Sequence, residues 1–393
     1  MPPIPRPRST LTLLLAFAAA CGRADEVIRP DVDGPVFITA AGDSVLMHEV
    51  LRIGQPDGPD HYTFSFIVWL LPTPDGGLFL YDLESESGSG ENGRIRQFDA
   101  EGRFVRYVGR PGEGPGEYSS FPDARLLPDG NLLIVDQSLA RMTRYDTAGN
   151  LVASWPGPTS IVELQPSTDG GWYVGWVTGH PERTPRRIEY VRFDSAGREV
   201  GRFPAPAVYH EGPNGGGGAV DIPTSYVAIL PDGRMVSARN DSLRIIVTGP
   251  TGEVSRSAPH EPVRYLPEEA AARRAQFAAA ARRRGGDTRP IEVPEFKPVM
   301  TYLYTDGAGR IWVRLRAPGY LGDSTASLRP GQSRWREPFE AVVFDSSLTY
   351  LGRLVTPRRA QGAILDEDAA WSVEEGASGA LHVAKWVPEV PAW

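Results

Sequence analysis

Cysteine, lysine and histidine are scarce in this chain of 393 residues, and each shortage excludes a class of protein or site. The single Cys, Cys21, cannot form an internal disulfide, and it leaves no cysteine cluster for structural zinc. The six scattered histidines include no His-x-x-x-His pair of the kind that holds a metal on a helix. Only two lysines occur, and the formal net charge of −8 argues against nucleic acid as a partner.

Glycine and proline are abundant: the chain has 43 Gly and 37 Pro, with 41% hydrophobic residues. This content of turn-forming residues is high for a helical protein but lies below the range of disordered or collagen-like chains. The apolar fraction is enough to build a core, so the composition favours a folded, turn-rich protein. The length of 393 residues corresponds to roughly two or three ordinary domains or to one large repeat domain.

The N-terminal residues have the parts of a secretory signal peptide. Arg6 and Arg8 precede an apolar run, Leu11–Ala20, which is too short to span a bilayer and is followed by Cys21. The small residues before Cys21 resemble a bacterial lipobox, in which the cysteine thiol is acylated, although Ala18 stands where that motif usually has Leu. An unpaired thiol is otherwise a liability in an exported chain, which favours acylation.

We therefore predict an exported lipoprotein of the cell envelope, anchored in a membrane through Cys21. Residues 1–21 are then the signal peptide and lipobox, and residues 22–34 are a polar tether. Cleavage at a plain Ala-x-Ala site is the alternative, and it would give a soluble secreted form.

Two kinds of turn recur along the rest of the chain. In the first, a hydrophobic segment is followed by an Asp-Gly turn and a second β-rich segment, because Asp-Gly supplies the positive φ that tight hairpins require. Its copies are Leu71–Asp82, Leu127–Asp136, Ser167–Val174, Leu230–Val236, Thr305–Val313 and Glu374–Val383. The second turn follows each of the first five, in Phe98–Val105, Tyr145–Val152, Phe193–Val200, Val247–Val254 and Phe344–Leu351.

Two hairpins per unit predict a four-stranded blade, and six units predict an all-β, six-bladed propeller over residues 35–393. The sixth unit ends after its first hairpin, whereas Val36–Thr39 and Ser44–Leu51 form a surplus hairpin at the other end. We expect these N-terminal strands to pair with residues 380–387 and complete the last blade. A pair of β-sandwiches would not explain a deficit at one end matched by a surplus at the other.

Several segments resemble a known family. Val135–Gly149 is similar to an NHL-type repeat, as is Tyr81-Asp82 followed by Arg94–Gly102. Gly109–Tyr118 resembles the loop between blades in bacterial secreted six-bladed β-propeller proteins. The resemblance implies the propeller fold but little about function, because propellers include hydrolases, lyases and binding modules.

The long insertions are expected on one face of the disc, opposite the Asp-Gly turns. They are residues 83–93, 204–223, 258–298 and 317–338. Insertions gathered on one face of a repeat protein mark its binding face, which we name the loop face. The third insertion contains an Ala-rich run at residues 267–284, with Pro at its start, acidic residues early and arginines late, and it predicts a helix.

Calcium is the cofactor that a propeller hydrolase would use, and it needs 6–8 oxygen ligands. Alignment of the Asp-Gly turns places Asp123 level with Glu163, and these two are the candidate metal ligands. The same level holds Trp69 and Tyr226, falls near Met300 or Tyr302 in the fifth unit, and falls near Ala369 or Ser372 in the sixth. Two carboxylates are fewer than a complete site needs, so no cofactor is expected unless the chain is a metal enzyme.

Candidate ligand-binding residues lie on the predicted inter-blade loops. His61 and His210 are the histidines placed there, and Tyr62 and Tyr118 have rings that could stack on a sugar or peptide. Packing between blades is the alternative role for such rings. No Gly-x-Ser-x-Gly elbow supports a serine hydrolase.

These observations predict a binding or scaffold module that acts through its loop face. Its partner would be an envelope protein, a peptide or a glycan, together with the membrane through the lipid anchor. The alternative is a divalent-metal-dependent hydrolase or lyase with its site at the mouth of the channel, using Asp123 and Glu163.

Overall fold

The computed structural model describes most of the chain after the predicted tether. The described residues are 34–83, 93–119, 122–178, 186–209, 225–258, 260–283, 292–322, 333–357, 360–365, 369–376 and 379–389. The predicted signal peptide, the lipidation site Cys21 and the candidate ligand residue His210 lie outside them.

An N-terminal hairpin and two blades form the first half of the described chain. The hairpin consists of β1 (Val36–Thr39) and β2 (Ser44–Ile53). Blade one consists of β3 (Ile67–Pro72), β4 (Leu78–Leu83), β5 (Gly93–Phe98) and β6 (Phe104–Val108). A two-stranded pair, β7 (Arg110–Pro111) and β8 (Glu117–Tyr118), leads to blade two, which is β9 (Asp123–Leu126), β10 (Leu132–Asp136), β11 (Arg141–Tyr145) and β12 (Leu151–Pro156).

Blades three and four repeat this order, and a helix follows them. Blade three is β13 (Ile161–Pro166), β14 (Trp172–Thr178), β15 (Arg186–Phe193) and β16 (Glu199–Tyr209). Blade four is β17 (Ser225–Ile229), β18 (Met235–Arg239), β19 (Arg244–Gly249) and β20 (Gly252–Ser257). The helix α1 (Pro267–Arg283) confirms the predicted helix in the third insertion.

Blades five and six lie in one nine-stranded sheet. Blade five is β21 (Met300–Thr305), β22 (Ile311–Leu315), β25 (Glu340–Phe344) and β26 (Tyr350–Val355), with the small hairpin β23 (Tyr320–Leu321) and β24 (Trp335–Arg336) between its second and third strands. Blade six is β27 (Ala360–Leu365), β28 (Ala370–Glu375) and β29 (Leu381–Pro388), with β2 as its fourth strand. The predicted six-bladed, all-β fold is therefore confirmed.

The N-terminal strands divide between two blades, which differs from the prediction. β2 pairs with β29, with Glu49 opposite Trp386, but β1 pairs with β26, with Phe37 opposite Leu354. Blade six needs one added strand rather than two because β27 and β28 already form its first hairpin. The residues between them, 366–368, are Asp-Glu-Asp and contain no glycine, so the turn pattern missed this hairpin.

Six buried apolar clusters hold neighbouring blades together. Alternate residues of a second strand serve opposite neighbours: in β10, Leu132 and Ile134 pack toward blade one, whereas Leu133 and Val135 pack toward blade three. Both faces of each sheet are thus covered, which explains why all five residues of β10 are buried. One cluster places Trp371 of blade six with residues of blade one.

Candidate functional site

One position on the innermost strand of every blade lies at the same level. Each residue there is opposite the fourth residue of the second strand, as in the pairs Asp123–Val135 and Glu163–Gly175. We call this set the central ring: Trp69, Asp123, Glu163, Tyr226, Tyr302 and Gly362. The innermost strands of a propeller line its central channel, so the ring surrounds that channel.

Strand geometry turns the ring side chains toward the channel. The next residues along the strands, such as Leu70, Ala124 and Leu164, are buried among the blades, and successive side chains of a strand point to opposite faces. In four blades the register shifts just before the ring residue, as between Ile161 and Glu163. Such bulges re-aim side chains at the rims of closed sheets.

The structure corrects the residue predicted for the ring position in blade six, and it decides between the two residues predicted for blade five. In blade six the position is Gly362, and the predictions of Ala369 or Ser372 were wrong because they used the later turn. In blade five it is Tyr302, whereas Met300 is fully buried. The shared level of Asp123 and Glu163 is as predicted.

Asp123 is paired within its own strand. Its Oδ1 accepts a hydrogen bond from Arg125 Nη1 at 2.9 Å, and Arg125 also donates to the carbonyl oxygen of Ala124 at 2.7 Å. Burial lowers the pKa of Arg125, but the charges of Asp123 and Glu163 outweigh it and hold the pKa above its ordinary value. The guanidinium therefore stays charged beside Asp123.

Glu163 lies deeper between blades three and four. Its carboxylate accepts a hydrogen bond of 2.5 Å from the Tyr190 hydroxyl and one of 3.3 Å from the Ile229 backbone N–H. Burial raises the pKa of Glu163 to about 7, although both hydrogen bonds and Arg125 oppose the rise. Such a carboxyl group changes charge near neutral pH, which is common at functional sites.

Tyr302 brings an aromatic ring to these charges. Its side chain is 47% exposed. Burial of its hydroxyl raises the pKa of Tyr302. The charge of Arg125 opposes this rise, whereas the charges of Asp123 and Glu163 add to it. Tyr302 therefore lies within electrostatic reach of both carboxylates and of the arginine, on blades two and three.

The helix α1 is fastened to blade five by buried charges. Lys297, with no exposed side-chain surface, donates to Glu269 of α1 at 2.5 Å and to Glu337 at 2.9 Å. Glu337 also pairs with Arg316 at 2.7 Å, and Arg316 donates to the Tyr265 hydroxyl at 3.0 Å. The third and fourth insertions thus pack against each other.

This fastening reaches the ring. Burial raises the pKa of the Tyr226 hydroxyl, and the Arg316 guanidinium opposes the rise, so Arg316 is near this ring residue. Arg316 therefore links the contacts of the third and fourth insertions, through Tyr265 and Glu337, to the central ring.

Three of the predicted ligand residues lie away from the ring. His61 stacks on Phe104 with ring centroids 4.4 Å apart, and the Tyr62 hydroxyl accepts a hydrogen bond of 3.0 Å from the Phe104 N–H. Phe104 begins the outermost strand of blade one, so these two residues lie at its periphery. Tyr118, the third predicted ligand residue, does not present its ring to a ligand, because the ring is 2% exposed and its hydroxyl accepts a hydrogen bond from the Ile95 N–H.

The donor set does not fit a calcium ion. Asp123 is engaged by Arg125, and Glu163 by Tyr190 and Ile229. The described residues contain no group of three or more His, Cys, Asp or Glu side chains that could hold a metal. Calcium needs 6–8 oxygen ligands, which these two carboxylates do not supply.

Sequence reasoning missed Arg125 and Tyr190. Arg125 stands two positions after Asp123, and side chains two apart share a face of a strand, so the period of two could have revealed it. Tyr190 comes from the third strand of blade three, and no local pattern places it beside Glu163. Arg316 and Lys297 were missed because their charged partners, Glu269 and Glu337, lie more than twenty positions away along the chain, where no local pattern links them.

Comparison with known proteins agrees with the fold. Residues 92–203, from the third strand of blade one to the fourth strand of blade three, match the model of a family described as 6-bladed beta-propeller. No curated protein sequence matches the chain. No helix in the described parts of the chain has the length and apolar character needed to cross a bilayer.

Solved structures similar to the chain include exported proteins and enzymes. A putative exported protein from Bacteroides fragilis is 11% identical, with a TM-score of 0.49, over 87% of this chain and 95% of that chain. A gluconolactonase from Xanthomonas campestris is 13% identical, with a TM-score of 0.42, over 91% and 96%. A virginiamycin B lyase from Staphylococcus aureus is 11% identical, with a TM-score of 0.41, over 87% and 99%. Similarity at this level transfers no activity to the chain. The predicted resemblance to a six-bladed β-propeller family is confirmed by the match over residues 92–203.

Proposed function

We propose that the chain is an exported, lipid-anchored β-propeller that acts as a binding or scaffold module, with its ligand site at the central ring. The observation that carries this proposal is the ring itself: five blades present polar or aromatic side chains at one level. Tyr302 in this ring is 47% exposed, and large rings left open in a channel are suited to ligand contact.

The partner that we propose is an envelope protein, a peptide or a glycan, and no cofactor is part of the proposal. Capture from the native envelope tests it, with wild type compared with Tyr302→Ala. Val254→Ala is the matched control, because Val254 is 58% exposed on the outermost strand of blade four. We expect the Tyr302 variant alone to lose its partner. Equal capture by all three forms would exclude the ring as the site.

Anchoring through Cys21 is tested separately. Acylation adds chain methylenes that contribute about 0.8 kcal/mol each on burial in a membrane, so an acylated Cys21 holds the protein on a membrane. We expect the membrane-extracted protein to show the mass of a chain that begins at an acylated Cys21, and Cys21→Ser to release it. An unmodified N-terminus directly after residue 20 would contradict the anchor.

Calcium titration separates this proposal from the metal-enzyme alternative. The shared level of Asp123 and Glu163 is the observation that favours the alternative. A ligand of the native state at 100 times its dissociation constant stabilises it by about 2.7 kcal/mol, which raises the Tm measurably. We expect no rise with calcium, magnesium or zinc. A rise that Asp123→Asn abolishes would instead favour the hydrolase or lyase.

A further inference from the structure

The charges of the central ring do not cancel. Arg125 is engaged by Asp123 at 2.9 Å, so this pair is neutral as a unit. Glu163 is held by two neutral donors, the Tyr190 hydroxyl and the Ile229 N–H. Within the part of the chain that the structure describes, no ion pair includes Glu163. The ionised ring therefore has one acid in excess.

Aromatic rings stand at the same level as this acid. Trp69, Tyr226 and Tyr302 come from blades one, four and five, and Tyr302 is the most exposed of the three. The face of an aromatic ring attracts a cation, more strongly where water is excluded. A carboxylate together with aromatic faces is the combination that recognises an organic ammonium group.

Other ligand charges fit less well. An anionic group would meet the charge of Glu163, and the cation that acts on Glu163, Arg125, already serves Asp123. A neutral group would shield the ionised Glu163 from solvent without supplying an opposite charge. An uncompensated buried charge is costly in free energy. A cationic group restores the balance.

We propose, on the basis of the proposed function, that the central ring binds a ligand through a cationic amino group placed between the Glu163 carboxylate and the Tyr302 ring. The groups that face Glu163 are Tyr190, Tyr302, and the Asp123–Arg125 pair. Among the described residues, none of these groups places a cation at hydrogen-bond distance from the Glu163 carboxylate.

The proposal predicts a dependence on pH with a defined sign. With a pKa of about 7, Glu163 is ionised to about a tenth at pH 6 and almost fully at pH 8. The apparent affinity scales with the competent fraction, so a permanently charged ligand should bind about tenfold more tightly at pH 8.

Choline and its uncharged isostere 3,3-dimethyl-1-butanol are the probes, titrated against the full chain at constant ionic strength with calorimetric detection. We expect choline to bind at pH 8, to bind about tenfold more weakly at pH 6, and to bind better than the isostere at both. Glu163→Gln should remove the pH dependence and weaken the preference for choline, because only the aromatic rings then attract the cation. Glu189→Gln removes the same charge from a partly exposed site on β15, where Glu189 pairs with Arg202, and should change neither.

The outcomes distinguish this inference from the proposed function. Equal binding of the two probes, an unchanged Glu163→Gln variant, or no saturable choline binding would overturn the cationic ligand. If envelope capture still depends on Tyr302, the proposed binding module is retained and only the cationic ligand is rejected. If capture is also independent of Tyr302, both fail.

Discussion

At the scale of single residues, Glu163 gives the molecule a stability that depends on pH. The raised pKa means that the folded state holds the proton more tightly than the unfolded state, whose pKa is near 4.5. The resulting stabilisation is complete below pH 4.5 and is lost as the pH rises to about 7. The loss is on the order of 3 kcal/mol in the free energy of unfolding.

Glu163→Gln should remove that loss. Urea unfolding at pH about 4.5 and about 7.5 measures it, and Glu189→Gln serves as the control for a partly exposed acid. We expect wild type and the control to lose stability alike, and Glu163→Gln to lose on the order of 3 kcal/mol less. A parallel decline in all three proteins would show that Glu163 has an ordinary pKa in the folded state.

Residues at the ring could be predicted only where the chain repeats. The common level of Asp123 and Glu163 followed from the Asp-Gly turns, which fix the register of the first hairpin. The role of Tyr118 as a ligand residue could not be judged from its position in a loop, because that position does not reveal the partner of its hydroxyl, which is a backbone N–H of blade one. Leu348 departs in another way: it adopts φ +67° where the equivalent turns have glycine, and it is buried.

At the scale of elements, α1 was predictable and its attachment was not. Its composition and flanking residues gave its bounds within one residue of the observed Pro267–Arg283. The apolar residue directly before it, Leu266, is 44% exposed and does not anchor the helix. The attachment is ionic instead, through Glu269 and the buried Lys297.

Lys297→Met should loosen this attachment. It leaves Glu269 and Glu337 without the cation that both contact, and breaking a buried pair costs about 3–5 kcal/mol. Faster cleavage by trypsin within α1 and a lower urea midpoint are the expected results. Arg264→Met breaks only an exposed pair and should cost less than about 1 kcal/mol. Equal resistance of the two variants would show that α1 is held by other contacts.

Strand β2 offers a matched comparison within one element. Ile53 is 1% exposed and packs in the cluster that contains Trp371 and Val383, whereas Val50 is 56% exposed at the register shift. Ile53→Ala should lower the free energy of unfolding by about 2–4 kcal/mol because it leaves a cavity between blades. Val50→Ala should change it by less than about 0.5 kcal/mol. Similar effects of both substitutions on urea unfolding would mean that β2 is not packed into blade six.

At the scale of the whole molecule, the blade count was predictable because one turn repeats. Gly76, Gly130, Gly170 and Gly233 all adopt positive φ at the predicted Asp-Gly turns. Blade six was misread because its first hairpin lacks that signal, so the residues near Ala369 were assigned to the wrong strand. The family match extends over the blades where the turns are regular.

The pairing of β2 with β29 leads to a prediction about the closed propeller as a whole. A chain that begins after residue 55 lacks both β1 and β2, and it leaves the edges of β26 and β29 unpaired. Such edges promote aggregation. It also lacks Ile53, which the cluster between blades six and one contains. We therefore expect this chain to lose cooperative unfolding and to form aggregates detectable by light scattering.

A synthetic peptide of residues 34–54 distinguishes the loss of these two strands from a general effect of truncation. Added in excess, it should pair with β26 and β29, restore a monomer and return a single urea transition. The two strands supply the edge hydrogen bonds and the Ile53 side chain. A peptide with Ile53→Asp has the same length but places a charge among apolar residues, and it should fail. If the truncated chain unfolds at the same midpoint as the full chain, the N-terminal strands are dispensable and the ring is held by the contacts between blades alone.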